Sequence, residues 1–274
     1  MKRILVPTDF SEHAEYALKV AAQIARKTDA EIYLLHMLEL PNQTVDAVAP
    51  GSEVPEVMFY MKKAHERFEE LKQQDYLSGI PVTEAVQFDR AFEGILKISK
   101  KHEIDIIIMG SHGASGFEEI FIGSNTEKVV RTSDIPVLVI KKGDENFNIK
   151  NIVFASDFTD EIKKPFEKAV EFAALFGAHI HLLMVNTPND FKSTSAAEKI
   201  MTDFVRNYPI GTYSTHVYNE TNVEKGILKF SKSINADLIG VSTHGRKGLN
   251  HFFNGSISED IVNHASRNVI TFKI

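Results

Sequence analysis

The 274-residue sequence predicts an α/β fold made of two tandem domains, each an open parallel β-sheet with helices on both faces. The first observation is an internal repeat, because Lys2–Glu12 (KRILVPTDFSE) aligns with Lys150–Asp160 (KNIVFASDFTD) and Gly94–Gly113 aligns with Gly226–Gly245. The second is that each copy alternates strand-like and helix-like segments. Such an order produces parallel sheets covered by helices and joined by right-handed crossovers.

The repeat also predicts where the domains meet. Between the copies lies KKGDENFNIK, a polar and charged stretch whose composition is typical of an interdomain linker. We therefore assign domain 1 to residues 1–142 and domain 2 to residues 148–274.

The elements of domain 1 follow from hydrophobic periodicity. Short apolar runs bounded by turn residues predict strands, and apolar residues at helical spacing predict helices. In chain order the predicted elements are strand Ile4–Val6, helix Glu12–Arg26, strand Glu31–Leu38, helix Val57–Leu77, strand Val82–Phe88, helix Phe92–His102, strand Ile104–Met109, a helix after Ser124, and strand Pro136–Lys141. Parallel sheets of this kind bind ligands at the carboxyl ends of their strands.

Composition excludes several classes of protein. The absence of cysteine excludes a disulfide scaffold and thiolate metal sites, and the formal charge of −6 argues against a nucleic-acid partner. The amino terminus has too short an apolar run for a signal peptide, and no stretch has eighteen consecutive apolar residues, so we expect no membrane partner. We expect a cytoplasmic protein.

A glycine-rich stretch, MGSHGASGFEEIFIGS, follows the apolar strand that ends at Met109. Gly110 and Gly113 permit positive φ and close approach of the backbone to a ligand, and Gly123 and Ser124 begin the next helix, whose first amides favour an anion. A loop of this kind can hold phosphates through its N–H groups. Alternatively, the glycines are turn residues and Ser124 with Glu127 is a capping box.

The repeat favours a phosphate-binding site over simple turns, because the spacing from Gly113 to Gly123 recurs from Gly245 to Gly255. The pattern G-x2-G-x9-G-S resembles the ATP-binding signature of the universal stress protein family. Other family motifs are present in VPTDFS, LLHML and IPVLVIK, and the resemblance covers essentially the whole chain. It implies a five-stranded parallel sheet in each domain, of the Rossmann-like adenine nucleotide α-hydrolase type, with ATP phosphates on the glycine loop.

The resemblance also implies the site residues of domain 1. Asp9 would lie near the ribose and phosphates and could meet a Mg²⁺ ion that accompanies ATP, or it caps helix Glu12–Arg26. Met37 matches the family position after the second strand, where its backbone would meet the adenine edge, or it is simply part of the pocket wall. The candidate nucleotide-binding residues are Pro7, Thr8, Asp9, Met37, Gly110, Gly113, Gly123, Ser124 and Asn125.

Domain 2 departs from the pattern at one position, where Ser242 replaces the first glycine. If that position needs positive φ, serine is strained there and its Cβ narrows the approach to the phosphates. The weaker candidate set is Asp157, Val185, Gly245, Gly255 and Ser256. We predict weaker or absent nucleotide binding in domain 2, and we interpret His112 and His244 as polar loop residues without a catalytic role.

Three functions fit these observations. The first is an ATP-binding stress-response or signalling module with at most slow ATP hydrolysis and an unidentified protein partner. The second is an ATPase or nucleotidyl-transfer enzyme, although neither a G-x4-G-K-[ST] loop nor an S-G-G-x-D-S loop is present. The third is a partner-binding scaffold with vestigial pockets. The final strands, VLVIK and VITFK, are predicted edge strands that pair between the domains in an intramolecular pseudo-dimer, and a further homodimer stays open.

Overall fold

The computed structural model describes residues 1–38, 54–113, 122–243 and 255–274, without the side chains of residues 54–56, 255 and 256. Each domain has five parallel strands, and the two sets form one ten-stranded sheet. Domain 1 contains β1 Arg3–Thr8, α1 Glu12–Thr28, β2 Glu31–Leu38, α2 Val54–Lys72, a 3-10 turn Asp75–Leu77, β3 Val82–Phe88, α3 Ala91–Lys101, β4 Ile106–Gly110, α4 Ser124–Thr132 and β5 Val137–Ile140. Domain 2 contains β6 Asn151–Ala155, a 3-10 turn Asp160–Ile162, α5 Lys163–Ala174, β7 His179–Asn186, α6 Thr194–Val205, β8 Tyr213–Asn219, α7 Val223–Ser233, β9 Leu238–Thr243, α8 Gly255–His264 and β10 Asn268–Lys273.

The strand order is β3-β2-β1-β4-β5-β10-β9-β6-β7-β8, so the side on which successive strands are added changes next to β1 in domain 1 and next to β6 in domain 2. Within each domain every strand pair is parallel. The two halves meet where β5 pairs antiparallel with β10, with Leu138 opposite Ile270. The α/β prediction of parallel sheets flanked by helices in two tandem domains is therefore confirmed.

Alternating residues of the strands send their side chains to two hydrophobic layers. In β1, Ile4 and Val6 join the layer that contains α1, α2, α5 and α6, whereas Leu5 joins the layer of α3, α4, α7 and α8. Both layers run through both domains. The long predicted helix Val57–Leu77 is wrong at its carboxyl end, because α2 stops at Lys72 and a 3-10 turn follows.

The linker is packed onto the domains. The side chain of Gln23 in α1 binds the linker backbone, and Phe147 is buried against Phe176. At the junction, Asn268 Oδ1 accepts a hydrogen bond from Lys141 N at 2.9 Å. Among the described residues, no helix is both long and apolar enough to span a membrane.

Candidate functional site

A cavity of about 370 Å³ opens at the carboxyl ends of β1, β2 and β4. All nine candidate residues of domain 1 line it. The other described residues that line the cavity are Ala14, Leu35, Ala91, Ile95, Met109, His112 and Thr126. The sequence analysis considered His112 and missed the rest, because ordinary core residue types give no signal of a pocket.

The β1–α1 turn holds Asp9 at the cavity. Phe10, the next residue, adopts φ 63°, a conformation that bulky side chains rarely take and that occurs chiefly where surrounding contacts enforce it. Its ring packs against those of His36 and Phe68. Asp9 Oδ1 accepts a hydrogen bond from Ser11 N at 3.0 Å. The turn therefore fixes the carboxylate at the cavity edge.

The alternative role of Asp9 as the helix cap is wrong. Ser11 is the N-cap of α1, and its hydroxyl accepts a hydrogen bond from Ala14 N. The D-x-x-E pattern misled because Asp9 instead closes the turn that precedes the cap. Its carboxylate consequently stays with the cavity rather than with the first turn of the helix.

Gly110 and Gly113 are required for close approach rather than for positive φ. The glycines with positive φ in the described residues are Gly79 and Gly177, so that part of the prediction is wrong. A Cβ at position 110 would lie 2.6 Å from the His13 carbonyl oxygen, and one at position 113 would lie 2.6 Å from Asp9 Oδ2. The absent side chains leave the backbone bare at the cavity.

The amino terminus of α4 forms another wall. Gly123 is its N-cap with φ −58°, and no side chain in the described part of the chain caps the helix, so the predicted Ser124–Glu127 capping box is wrong. Gly123 N donates to Ser111 O at 2.8 Å, which holds the two ends of the glycine stretch together. The N–H groups of Ser124 and Asn125 are in the first turn, where a helix offers them no partner.

Met37 forms the apolar side of the cavity. It is the penultimate residue of β2, paired with Gln87, so its predicted place after the strand is wrong. A Cβ on Gly94 of α3 would lie only 2.1 Å from Met37 Cε. The glycine thus lets α3 approach β2 and determines where the methionine lies.

Few charged side chains line the described part of the cavity. Among the lining residues that the structure describes, none is Lys or Arg, and Asp9 is the carboxylate. Phosphate oxygens would therefore be held by backbone N–H groups, and a metal ion would be needed to separate them from Asp9. His112 lines the same cavity, and its Nδ1 is 2.9 Å from Ser111 Oγ.

The corresponding cavity of domain 2 is about 30 Å³. Asp157 and Val185 line it together with Asp190 and Lys192, whose side chains form an ion pair at 2.8 Å. The buried Asn186 fixes this loop, because its side chain donates to Lys192 O and accepts from Lys192 N. The loop after β7 therefore borders the described part of this cavity.

The glycine positions of domain 2 are only partly described. Gly245 and His244 lie outside the described residues, and Gly255 and Ser256 begin α8. The predicted backbone strain at Ser242 is wrong, because this residue lies in β9 and is not among those with positive φ. Its buried hydroxyl has no hydrogen-bond partner among the described residues.

A second polar group lies outside both cavities, and we call it the histidine cluster. His179 Nε2, His181 Nδ1 and His216 Nε2 lie 2.9, 3.1 and 2.8 Å from Ser214 Oγ. Burial, helped by the neighbouring imidazoles, lowers the pKa of His181 to about 4, and burial also lowers the pKa of His216. No group of three or more histidine or carboxylate side chains in the described part of the chain is arranged to hold a metal ion.

Comparisons with known proteins agree with the repeat and the fold. The model of the universal stress protein family matches residues 1–141 and again 148–273. Universal stress protein MJ0577 of Methanocaldococcus jannaschii is 35% identical over 154 residues, covering 52% of this chain and 95% of that protein. Universal stress protein Slr1230 of Synechocystis is 22% identical over the full length of both chains. The crystal structure of a universal stress protein from Archaeoglobus fulgidus shares the fold, with a TM-score of 0.76 and 24% identity over 99% of this chain and 98% of that one. The chain belongs to the universal stress protein family and contains two of its domains in tandem.

Proposed function

We propose that domain 1 binds ATP or a related adenine nucleotide with Mg²⁺, and that the protein is a nucleotide-dependent stress-response or signalling module with at most slow ATP hydrolysis. The observation that carries this proposal is the 370 Å³ cavity, in which all nine candidate residues of domain 1 meet at the carboxyl ends of the strands. Its volume is in the range of small-molecule sites.

Different parts of the cavity lining suit the phosphates, the cation and the base of a nucleotide. Bare backbone at Gly110 and Gly113 and the first amides of α4 would hold phosphates. Asp9 would meet the cation, directly or through water. Met37 and Leu35 offer an apolar wall for a base.

Domain 2 is proposed to bind the nucleotide weakly or not at all, because the loop that carries Lys192 borders a cavity of only about 30 Å³. The antiparallel pairing of β5 with β10 supports the interpretation of the tandem domains as an intramolecular pseudo-dimer. Ligand binding in domain 1 would then stabilise one arrangement of the joined sheet by its differential affinity.

The test is calorimetric titration with ATP and Mg²⁺ of the wild type and of two matched variants, Gly113→Ala and Gly245→Ala. We expect one site per chain, lost in Gly113→Ala because the new Cβ meets the Asp9 carboxylate, and unchanged in Gly245→Ala. Two equivalent sites would contradict the proposal for domain 2. No binding by the wild type would refute the proposed function and favour a scaffold role.

A further inference from the structure

Two consecutive backbone N–H groups precede α4, and each is held by a different domain. Gly123 N donates to Ser111 O at 2.8 Å, within domain 1. Ile122 N donates at 3.1 Å to Oδ1 of Asn263, which lies in α8 of domain 2. The side chain of Asn263 therefore reaches across the domain junction to the segment from which α4 begins.

This contact lies beside the cavity of domain 1. Ile122 is buried, and the three residues after it, Gly123, Ser124 and Asn125, line the cavity. N–H groups in the first turn of a helix have no partner within the helix and can bind an anion. Where these groups lie depends on how the segment before them is held, so the contact with Asn263 bears on the phosphate end of the proposed site.

Two further contacts hold α8 against domain 1. Val262 O, next to Asn263, accepts a hydrogen bond from Nζ of Lys141, which follows β5. Val262 is in the last turn of α8, where carbonyl groups have no partner within the helix and a cation is favoured. Arg131 Nε in α4 lies 3.8 Å from Glu259 Oε1 in α8. The helix that carries Asn263 is thus fixed to domain 1 at two other points.

The internal repeat gives the two domains different side chains at this position. Asn263 aligns with Arg131, because each lies at the same distance after the corresponding glycine, Gly255 or Gly123. An arginine side chain has N–H donors and no acceptor, so Arg131 cannot accept from a backbone N–H as Asn263 does. The acceptor is therefore offered by domain 2 to domain 1, and the aligned residue of domain 1 cannot return it.

We propose that Asn263 of domain 2 is a positioning residue for the phosphate end of the nucleotide site in domain 1. Its Oδ1 binds Ile122 N and so holds the first amides of α4 in place before a ligand arrives. A site whose donors are already in place loses less conformational freedom on binding. The inference rests on the proposed nucleotide binding, and it gives domain 2 a role in that binding which requires no nucleotide of its own.

The test compares ATP with adenosine, which has the base and the ribose but no phosphate. Each is titrated calorimetrically with Mg²⁺ into the wild type and into Asn263→Leu, whose side chain is of similar size and has no acceptor. We expect Asn263→Leu to weaken ATP binding roughly fivefold, as loss of one neutral hydrogen bond predicts, and adenosine binding by less than about twofold. General damage to the fold would weaken both ligands alike, so the ratio of the two affinities identifies a positioning role.

Glu259→Gln is the matched control, because it removes the ion pair of α8 with Arg131 and keeps Asn263. It should bind ATP and adenosine as the wild type does. Hydrogen exchange adds a readout that needs no ligand, since the Ile122 amide should exchange faster in Asn263→Leu than in Glu259→Gln. Asn263 is half-buried, and Asn263→Ala, which also removes the acceptor, serves where the leucine variant fails to fold.

The outcomes separate this inference from the proposed function. If the wild type binds ATP, three results would each overturn the inference alone: unchanged ATP affinity without Asn263, equal losses for ATP and adenosine, or the same loss of ATP affinity in Glu259→Gln. An unchanged exchange rate of the Ile122 amide would overturn it as well. A wild type that binds no ATP would overturn both the inference and the proposed function.

Discussion

Gly110→Ala should destabilise domain 1 through a steric clash with backbone. The new Cβ would lie 2.6 Å from the His13 carbonyl oxygen and 2.7 Å from its carbon, both in the first turn of α1. Because α1 packs on β4 and its backbone cannot rotate away as a side chain would, the helix itself must shift. Overpacking of this kind costs about 1–3 kcal/mol, and contact with backbone places Gly110→Ala toward the upper end of that range.

The matched control is Ser242→Gly, at the corresponding position of domain 2. Glycine in a strand costs about 0.5–1 kcal/mol, and removal of the unpaired buried hydroxyl offsets this cost, so the net change should stay within about 1 kcal/mol. Urea unfolding followed by circular dichroism gives both free energies of unfolding. Equal costs for the two variants, or a Gly110→Ala protein as stable as the wild type, would refute the close-approach explanation.

The remaining predictions concern the histidine cluster, the domain junction and the cavity wall. The pKa of His181 is lowered to about 4 in the folded protein, so the unfolded chain binds the proton first as the pH falls. The free energy of unfolding should therefore decrease as the pH is lowered from about 6.5 to 4. Because the imidazole rings are half-buried, this loss of unfolding free energy should be about 1–2 kcal/mol. Urea titrations at several pH values should show a smaller loss in His181→Asn. Asn268→Ala should lower the free energy of unfolding by about 1 kcal/mol, because the Lys141 N–H loses its acceptor. Thermal melts should show a lower melting temperature, and an unchanged one would contradict this. Gly94→Ala should push the flexible Met37 side chain toward the cavity and weaken ATP binding roughly tenfold in calorimetry, and unaltered affinity would exclude that displacement.

The sequence predicted the elements because their signals are local. Apolar runs such as Ile104–Met109 and the repeat of KRILVPTDF fix strand positions and domain number without knowledge of packing. The glycine spacing likewise predicted residues that line one cavity. It did not predict why Gly110 must be glycine, because the reason is a contact with His13, far away in the sequence.

Capping assignments failed for a related reason. Both D-x-x-E at Asp9 and S-x-x-E at Ser124 match helix-start patterns, yet α1 starts after Ser11 and α4 starts after Gly123. A pattern of four residues fits several registers of the same turn, and the packing of neighbouring elements selects one. At Asp9 the selected register leaves the carboxylate at the cavity.

The asymmetry between the domains shows which differences matter energetically. Ser242 was the visible departure, yet β9 accommodates it without positive φ. The loop after β7 has the larger effect, because Asn186 binds both the N–H and the carbonyl of Lys192, and Lys192 pairs with Asp190. Opening this loop breaks two hydrogen bonds to a buried side chain, at about 1 kcal/mol each. A ligand for domain 2 would first have to supply that energy, which lowers its apparent affinity roughly thirtyfold relative to a pocket that is already open. The hydrogen-bonded loop after β7, more than Ser242, therefore supports domain 1 as the nucleotide-binding half in our proposal.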